Sequence, residues 1–124
     1  MGNFLTMLKN ALGLGPTDPT VEVSPQDAFQ RLKGGKTIQL VDVRSVDEHR
    51  QMRIAGSKLI PLHELGNRLK EIDKIKPVLL YCHGGNRSGM ALRLLKSQGY
   101  NQAAHIVGGI SSWSRSGLPV ETKS

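Results

Sequence analysis

The chain has 124 residues and a mass of 13.5 kDa, enough for one compact domain, and an aromatic content of 4% means that the core must be aliphatic. A single cysteine excludes an internal disulfide, a Cys-x-x-Cys redox pair and a cysteine-built zinc site, and it suits a reducing cytoplasm. The formal charge of +7 comes without any basic run, which speaks against a nucleic-acid arm, and no stretch approaches the ~18 apolar residues of a membrane-spanning helix.

In Met1 to Gly15, Phe4, Leu8 and Leu12 recur at helical spacing beside Met7 and Ala11, which predicts a short amphipathic helix. Lys9-Asn10 breaks its apolar run and no small-residue cleavage site follows, so the segment is not read as a secretory signal. Met1-Gly2-Asn3-Phe4-Leu5-Thr6 fits the N-myristoylation pattern, but so short a match arises often by chance. Docking on the domain, or on a second copy to form a homodimer, is the preferred expectation. Gly13 to Pro19 reads as a linker, so residues 1–19 stand apart from a domain over 20–124.

From residue 20 strand and helix patterns alternate. Val21–Val23 is a short strand, and Ser24 as N-cap with Pro25 in the first turn starts a helix to about Leu32. Thr37–Val43 reads as a strand, Val46 to about Met52 as a helix, Lys58–Ile60 as a strand, and Leu62, Leu65, Leu69 and Ile72 predict a helix over 62–72. The strand Val78–Tyr81, a helix from about Arg87 to Gln98, the strand Ala104–Val107 and a helix through the core residue Trp113 complete the series. Near-continuous apolar strands alternating with helices imply an α/β fold, a mostly parallel sheet with helices on both faces.

Cys82 falls where the buried strand ends and a helix begins, at the carboxyl edge where such sheets bind ligands. Unpaired N–H groups and the dipole of the helix favour a thiolate there and attract anions. In Cys82-His83-Gly84-Gly85-Asn86-Arg87-Ser88-Gly89, the glycines let several N–H groups converge. Arg87 is placed to hold a second charged oxygen or to buttress the loop, and Ser88 to cap the helix or to donate to the sulfur. Between Lys74 and Val120 the basic residues Lys74, Lys76, Arg87, Arg93, Lys96 and Arg115 meet no Asp or Glu, a field that would steer small anions toward the cysteine.

Three further segments carry a resemblance. They are Val41-Asp42-Val43-Arg44 with Glu48, then Ile54-Ala55-Gly56-Ser57 with Ile60-Pro61-Leu62, then Gly108-Gly109-Ile110 with Trp113 and Gly117-Leu118-Pro119. Together with the cysteine loop they make the chain resemble a single-domain rhodanese, a thiosulfate sulfurtransferase, over about residues 21 to 120. The resemblance implies a five-stranded parallel sheet and a Cys82 that accepts a sulfane sulfur, with His83, Gly84, Gly85, Asn86, Arg87 and Ser88 as the binding loop. Asp42 and Arg44 either line the pocket or support it. The supporting version has Asp42 capping nearby amides and an Arg44–Glu48 pair holding the next helix. Met52 and Arg53 stand where the family usually has Gly and His, which puts the shape of that turn in question. His49, His63 and His105 have no ligand cluster around them and read as surface or packing residues, so neither metal nor organic cofactor is expected.

The implied reaction moves a sulfur atom from thiosulfate or another persulfide donor through a Cys82 persulfide to cyanide, a thiol or a protein acceptor. A cysteine phosphatase or arsenate reductase also brackets an amide-lined loop with Cys and Arg, but with five intervening residues where this chain has four (His83, Gly84, Gly85 and Asn86). The smaller loop suits one extra sulfur atom better than a phosphoryl group. A non-catalytic rhodanese-like binding module is the other alternative, and it does not require the cysteine that this chain keeps.

Overall fold

The computed structural model describes residues 21–34 and 37–123. The expected N-terminal helix, its linker and the acylation pattern lie outside the described residues.

The elements follow as β1 (Glu22–Val23), α1 (Pro25–Lys33), β2 (Gln39–Asp42), α2 (Val46–Gln51), β3 (Met52–Arg53), β4 (Lys58–Leu59), α3 (Leu62–Leu65), a 3-10 turn (Leu69–Glu71), β5 (Val78–Tyr81), α4 (Asn86–Ser97), β6 (Ala103–Ile106), α5 (Gly109–Arg115) and β7 (Glu121–Thr122). Five strands form one sheet in the order β1-β6-β5-β2-β4, with parallel pairing throughout. The α1 start is as expected, with Ser24 Oγ accepting from Asp27 N at 3.1 Å.

Side chains alternate across β5 and so divide the core. Val78, Leu80 and Cys82 face α3 and α4, where Leu65, Ala91, Leu92, Leu95 and Tyr100 are buried. Leu79 and Tyr81 face the other layer, with Ala28 of α1 and Ile110 and Trp113 of α5. Trp113 is buried, its indole N–H bonded to Pro119 O at 2.8 Å and its ring edge-on to Phe29 at 5.8 Å. Cys82 therefore extends the apolar face of the central strand, and its side chain is directed into the layer that α4 covers.

Two expectations are corrected. The helix over 62–72 is interrupted at Gly66-Asn67 and resumes as the 3-10 turn, although Leu65 and Ile72 are buried and Leu62 and Leu69 pack against the core. Glycine and asparagine are poor helix formers, and the periodicity records the buried face but not the break. At Met52 no left-handed turn is needed, because the residue is extended (φ −158°, ψ 135°) and belongs to β3, which pairs antiparallel with β7. This two-stranded ribbon carries an Arg53–Glu121 ion pair at 3.2 Å.

Candidate active site

Strand β5 ends at Tyr81, and the chain then curls so that the Cys82 sulfur faces the first turn of α4. Gly85 is the N-cap of that helix, in the left-handed region with φ 110°, where only glycine is unstrained. The curl aims N–H groups at the sulfur: Gly85 N lies 3.1 Å from Sγ and Ser88 N 3.2 Å, with Ser88 Oγ at 3.5 Å. Burial of the thiol works to raise its pKa, but the donors on Ser88, Gly85 and Arg87 outweigh it, and the net direction is down from the ordinary thiol value. Cys82 is 1% exposed, whereas His83, Gly84 and Asn86 are exposed around it.

The carbonyl side of the same loop is held by α5. Ile110 N donates to Cys82 O at 2.9 Å and Ser111 N to His83 O at 3.0 Å. So close an approach requires Gly109, where a Cβ would lie 2.3 Å from His83 O and 2.5 Å from Cys82 O. The first turn of α5 thus binds the carbonyls of the nucleophile loop, and the first turn of α4 supplies donors to the sulfur.

The charged residues are partnered differently from the expected support. Asp42 Oδ1 accepts from Arg44 N at 2.9 Å and Nε at 2.9 Å, while Oδ2 accepts from Arg44 Nη2 at 2.8 Å and His49 Nδ1 at 2.8 Å. Both Asp42 and Arg44 are buried, and the Arg44 guanidinium also bonds Met52 O and lies 5.4 Å from the Tyr81 ring centroid. Arg44 therefore pairs with Asp42 and not with Glu48. Glu48 closes a capping box with Ser45 and takes Arg87 in a two-pronged pair, which drives its own carboxyl down to about 2. Arg87 thus ties the first turn of α4 to Glu48, and the helix cap is Gly85 and not Ser88.

Two clefts share Arg44. One of about 520 Å³ runs between α2 and α5 past His83, Ser111 and Arg115, and one of about 310 Å³ lies beside Ser45, His63 and Arg87. A third, of about 480 Å³, opens at the opposite end of the sheet around Pro77 and Ala104, with Arg31 as the one charged residue among its described lining. Among the described residues, no group of three or more His, Cys, Asp or Glu is placed to hold a metal ion, and no helix is long and apolar enough to cross a membrane. His63 is exposed beside Glu64, but His49 and His105 are both tied into the site, which their sequence context did not signal.

Residues 24–116 match the model of the rhodanese-like domain. The chain belongs to that family. It is 36% identical over 99 residues to a sulfurtransferase of Allochromatium vinosum, covering 80% of this chain and 92% of that protein. It is 31% identical to the thiosulfate sulfurtransferase GlpE of Glaesserella parasuis, over 81% of this chain and 92% of the relative. A rhodanese-related protein of Thermoplasma volcanium shares the fold with a TM-score of 0.75 and 31% identity, covering 82% of this chain and 97% of that one. The expected rhodanese-like fold is thus the fold of this chain, and sulfurtransferases are among its relatives.

Proposed function

We propose that the protein is a sulfurtransferase in which Cys82 carries a sulfane sulfur between an anionic donor and a thiophilic acceptor. The observation that carries this reading is the set of donors aimed at one sulfur, Gly85 N at 3.1 Å and Ser88 N at 3.2 Å, at the mouth of a helix. Such a ring favours a thiolate before transfer and an anionic persulfide after it. In the first half-reaction Cys82 thiolate attacks the outer sulfur of thiosulfate, the new S–S bond forms, and the bond to the sulfonate sulfur breaks with its electron pair leaving on sulfite. In the second, an acceptor thiolate or cyanide attacks the outer sulfur of the persulfide and Cys82 leaves as thiolate. No oxidant is consumed.

His83, Gly84, Gly85, Asn86 and Ser88 form the binding loop, with their exposed members meeting the donor. Arg87 acts chiefly through its grip on Glu48, and Asp42 with Arg44 supports the wall of the cleft from inside. Residues 20–124 form the transferring domain. Thiosulfate as donor is favoured by the likeness to a thiosulfate sulfurtransferase, and the lone reduced thiol suits the cytoplasm. A protein thiol is the favoured cellular acceptor.

The test is the intact mass after incubation with thiosulfate, for the wild type and for Cys82→Ser. A gain of one sulfur atom that cyanide removes, absent from the variant, supports the proposal. No gain from thiosulfate or any persulfide donor defeats it, and phosphate release from an aryl phosphate would then favour the phosphatase alternative.

A further inference from the structure

Ser88 is buried beside Cys82 and has one hydroxyl proton to share among three neighbours. Gly85 O lies 3.2 Å from its Oγ, Cys82 Sγ 3.5 Å and His105 Nδ1 2.8 Å. His105 belongs to β6, in register with Leu80 of β5 and Glu22 of β1, so its ring lies on the Cys82 face of the sheet. Opposite it, α4 presents Gly89, where a Cβ would come within 3.7 Å of His105 Cε1. The imidazole thus occupies a slot between sheet and helix, with its Nδ1 against the Ser88 hydroxyl.

We infer that His105 is a positioning residue for the nucleophile, its Nδ1–H donating to Ser88 Oγ and so turning the Ser88 proton on to the ionised Cys82 sulfur. A Ser hydroxyl has a single proton, and a bare Nδ1 at 2.8 Å would take it, leaving the thiolate with backbone donors alone. When Nδ1 carries the ring proton, it saturates an Oγ lone pair and leaves the Ser88 proton to Gly85 O or to the sulfur; Gly85 O already accepts from Gly89 N at 3.0 Å, and the ionised sulfur is the stronger acceptor. Burial lowers the pKa of His105 and outweighs Glu22, the charged group acting on it, which keeps the ring neutral and makes the choice of nitrogen a choice of tautomer. The inference rests on Cys82 as the nucleophile, but its test reads ionisation and not sulfur transfer, so the two stand or fall separately.

The thiolate's ultraviolet absorbance is to be followed against pH in the wild type, His105→Phe and His105→Asn, with Cys82→Ala as the blank. The Phe variant fills the slot with an aromatic ring and removes the donor, and its midpoint is expected to rise by about one pH unit, about tenfold less thiolate well below the wild-type midpoint. The Asn variant, whose amide restores a donor near the Nδ1 position, is expected to recover most of that loss. A folded Phe variant with the wild-type midpoint would overturn the inference. The nitrogen resonances of the wild-type His105 ring supply a check that needs no variant. With Cys82 ionised, a protonated Nδ1 and a bare Nε2 are expected, and the reverse tautomer overturns it.

Discussion

Arg87 and Glu48, 39 residues apart in sequence, meet in a two-pronged pair, Nη1 to Oε1 at 2.7 Å and Nη2 to Oε2 at 2.9 Å. The pair ties the first turn of α4, which faces the nucleophile, to the first turn of α2, where Glu48 also bonds Ser45 N at 3.1 Å. Glu48→Gln keeps the cap and loses the charge. Because the pair is more than a third exposed on the Arg87 side, its expected contribution is only about 1 kcal/mol. The carboxyl is held at about 2 in the folded chain, chiefly by Arg87, against the ordinary 4.5 of an unfolded chain. Its stabilisation is therefore complete above the upper value and disappears as pH falls through the lower. Urea midpoints measured across that interval are expected to converge for wild type and Gln variant at the acid end. Parallel curves would exclude the pair as the cause.

Asp42 is fully buried and accepts four hydrogen bonds, three of them from Arg44. Asp42→Asn leaves a buried guanidinium without its counter-charge, a loss expected at about 3 kcal/mol. If the carboxylate only supports the wall, the folded fraction keeps its KM for thiosulfate while the unfolding free energy falls. A raised KM with unchanged stability would place Asp42 in contact with the donor instead.

Gly109 separates steric contact from backbone strain. Both Gly56 (φ 81°) and Gly109 (φ 63°) adopt left-handed conformations, but a Cβ on Gly56 meets nothing within 4 Å, whereas one on Gly109 strikes the carbonyls of Cys82 and His83. Gly56→Ala is expected to cost about 1 kcal/mol, the strain alone. Gly109→Ala is expected to cost more than twice that and to raise the Cys82 ionisation midpoint, since the loop must move off α5. Equal losses in the two variants would mean that the close approach is relieved elsewhere.

The readable parts of this site were those set by local pattern. A lone cysteine between an apolar run and a helical one, and Ser24-Pro25 before a helix, specify their conformations within a few residues, and the sheet followed from the alternation. Pairings that depend on register were not readable. Arg44 turns back to Asp42, two residues before it at the end of β2, while Glu48, in the first turn of α2, faces Arg87. His105 reaches Ser88 only because β6 lies beside β5. The two-residue strands β3 and β7 leave no periodicity to detect, since backbone pairing between distant segments defines them.

Removing residues 1–15 tests the division of the chain. Among the described residues, those that build the sheet, the nucleophile loop and the two clefts sharing Arg44 all lie beyond that segment. The truncated protein is expected to take up sulfur from thiosulfate at the wild-type rate, measured by intact mass against time, whatever happens to its oligomeric state. A folded truncation that fails to load Cys82 would make the N-terminal segment part of the transferring unit.

The depressed thiol pKa must also appear in stability. Relative to its ordinary value of 9.0, the folded Cys82 loses its proton at lower pH, because the donors on Ser88 and Gly85 outweigh burial. Below the folded midpoint both folded and unfolded chains carry the proton, and ionisation contributes nothing. Between the two midpoints the unfolded chain binds more protons, so stability rises with pH. Above the unfolded midpoint the contribution is constant. Cys82→Ala removes the titration and leaves the surroundings in place. The difference in unfolding free energy between wild type and Ala variant, measured in urea with reductant present, is expected to widen as pH rises toward 9 and then to level off. A difference that narrows over that range would mean that burial prevails over the donors and that Cys82 is held as a neutral thiol.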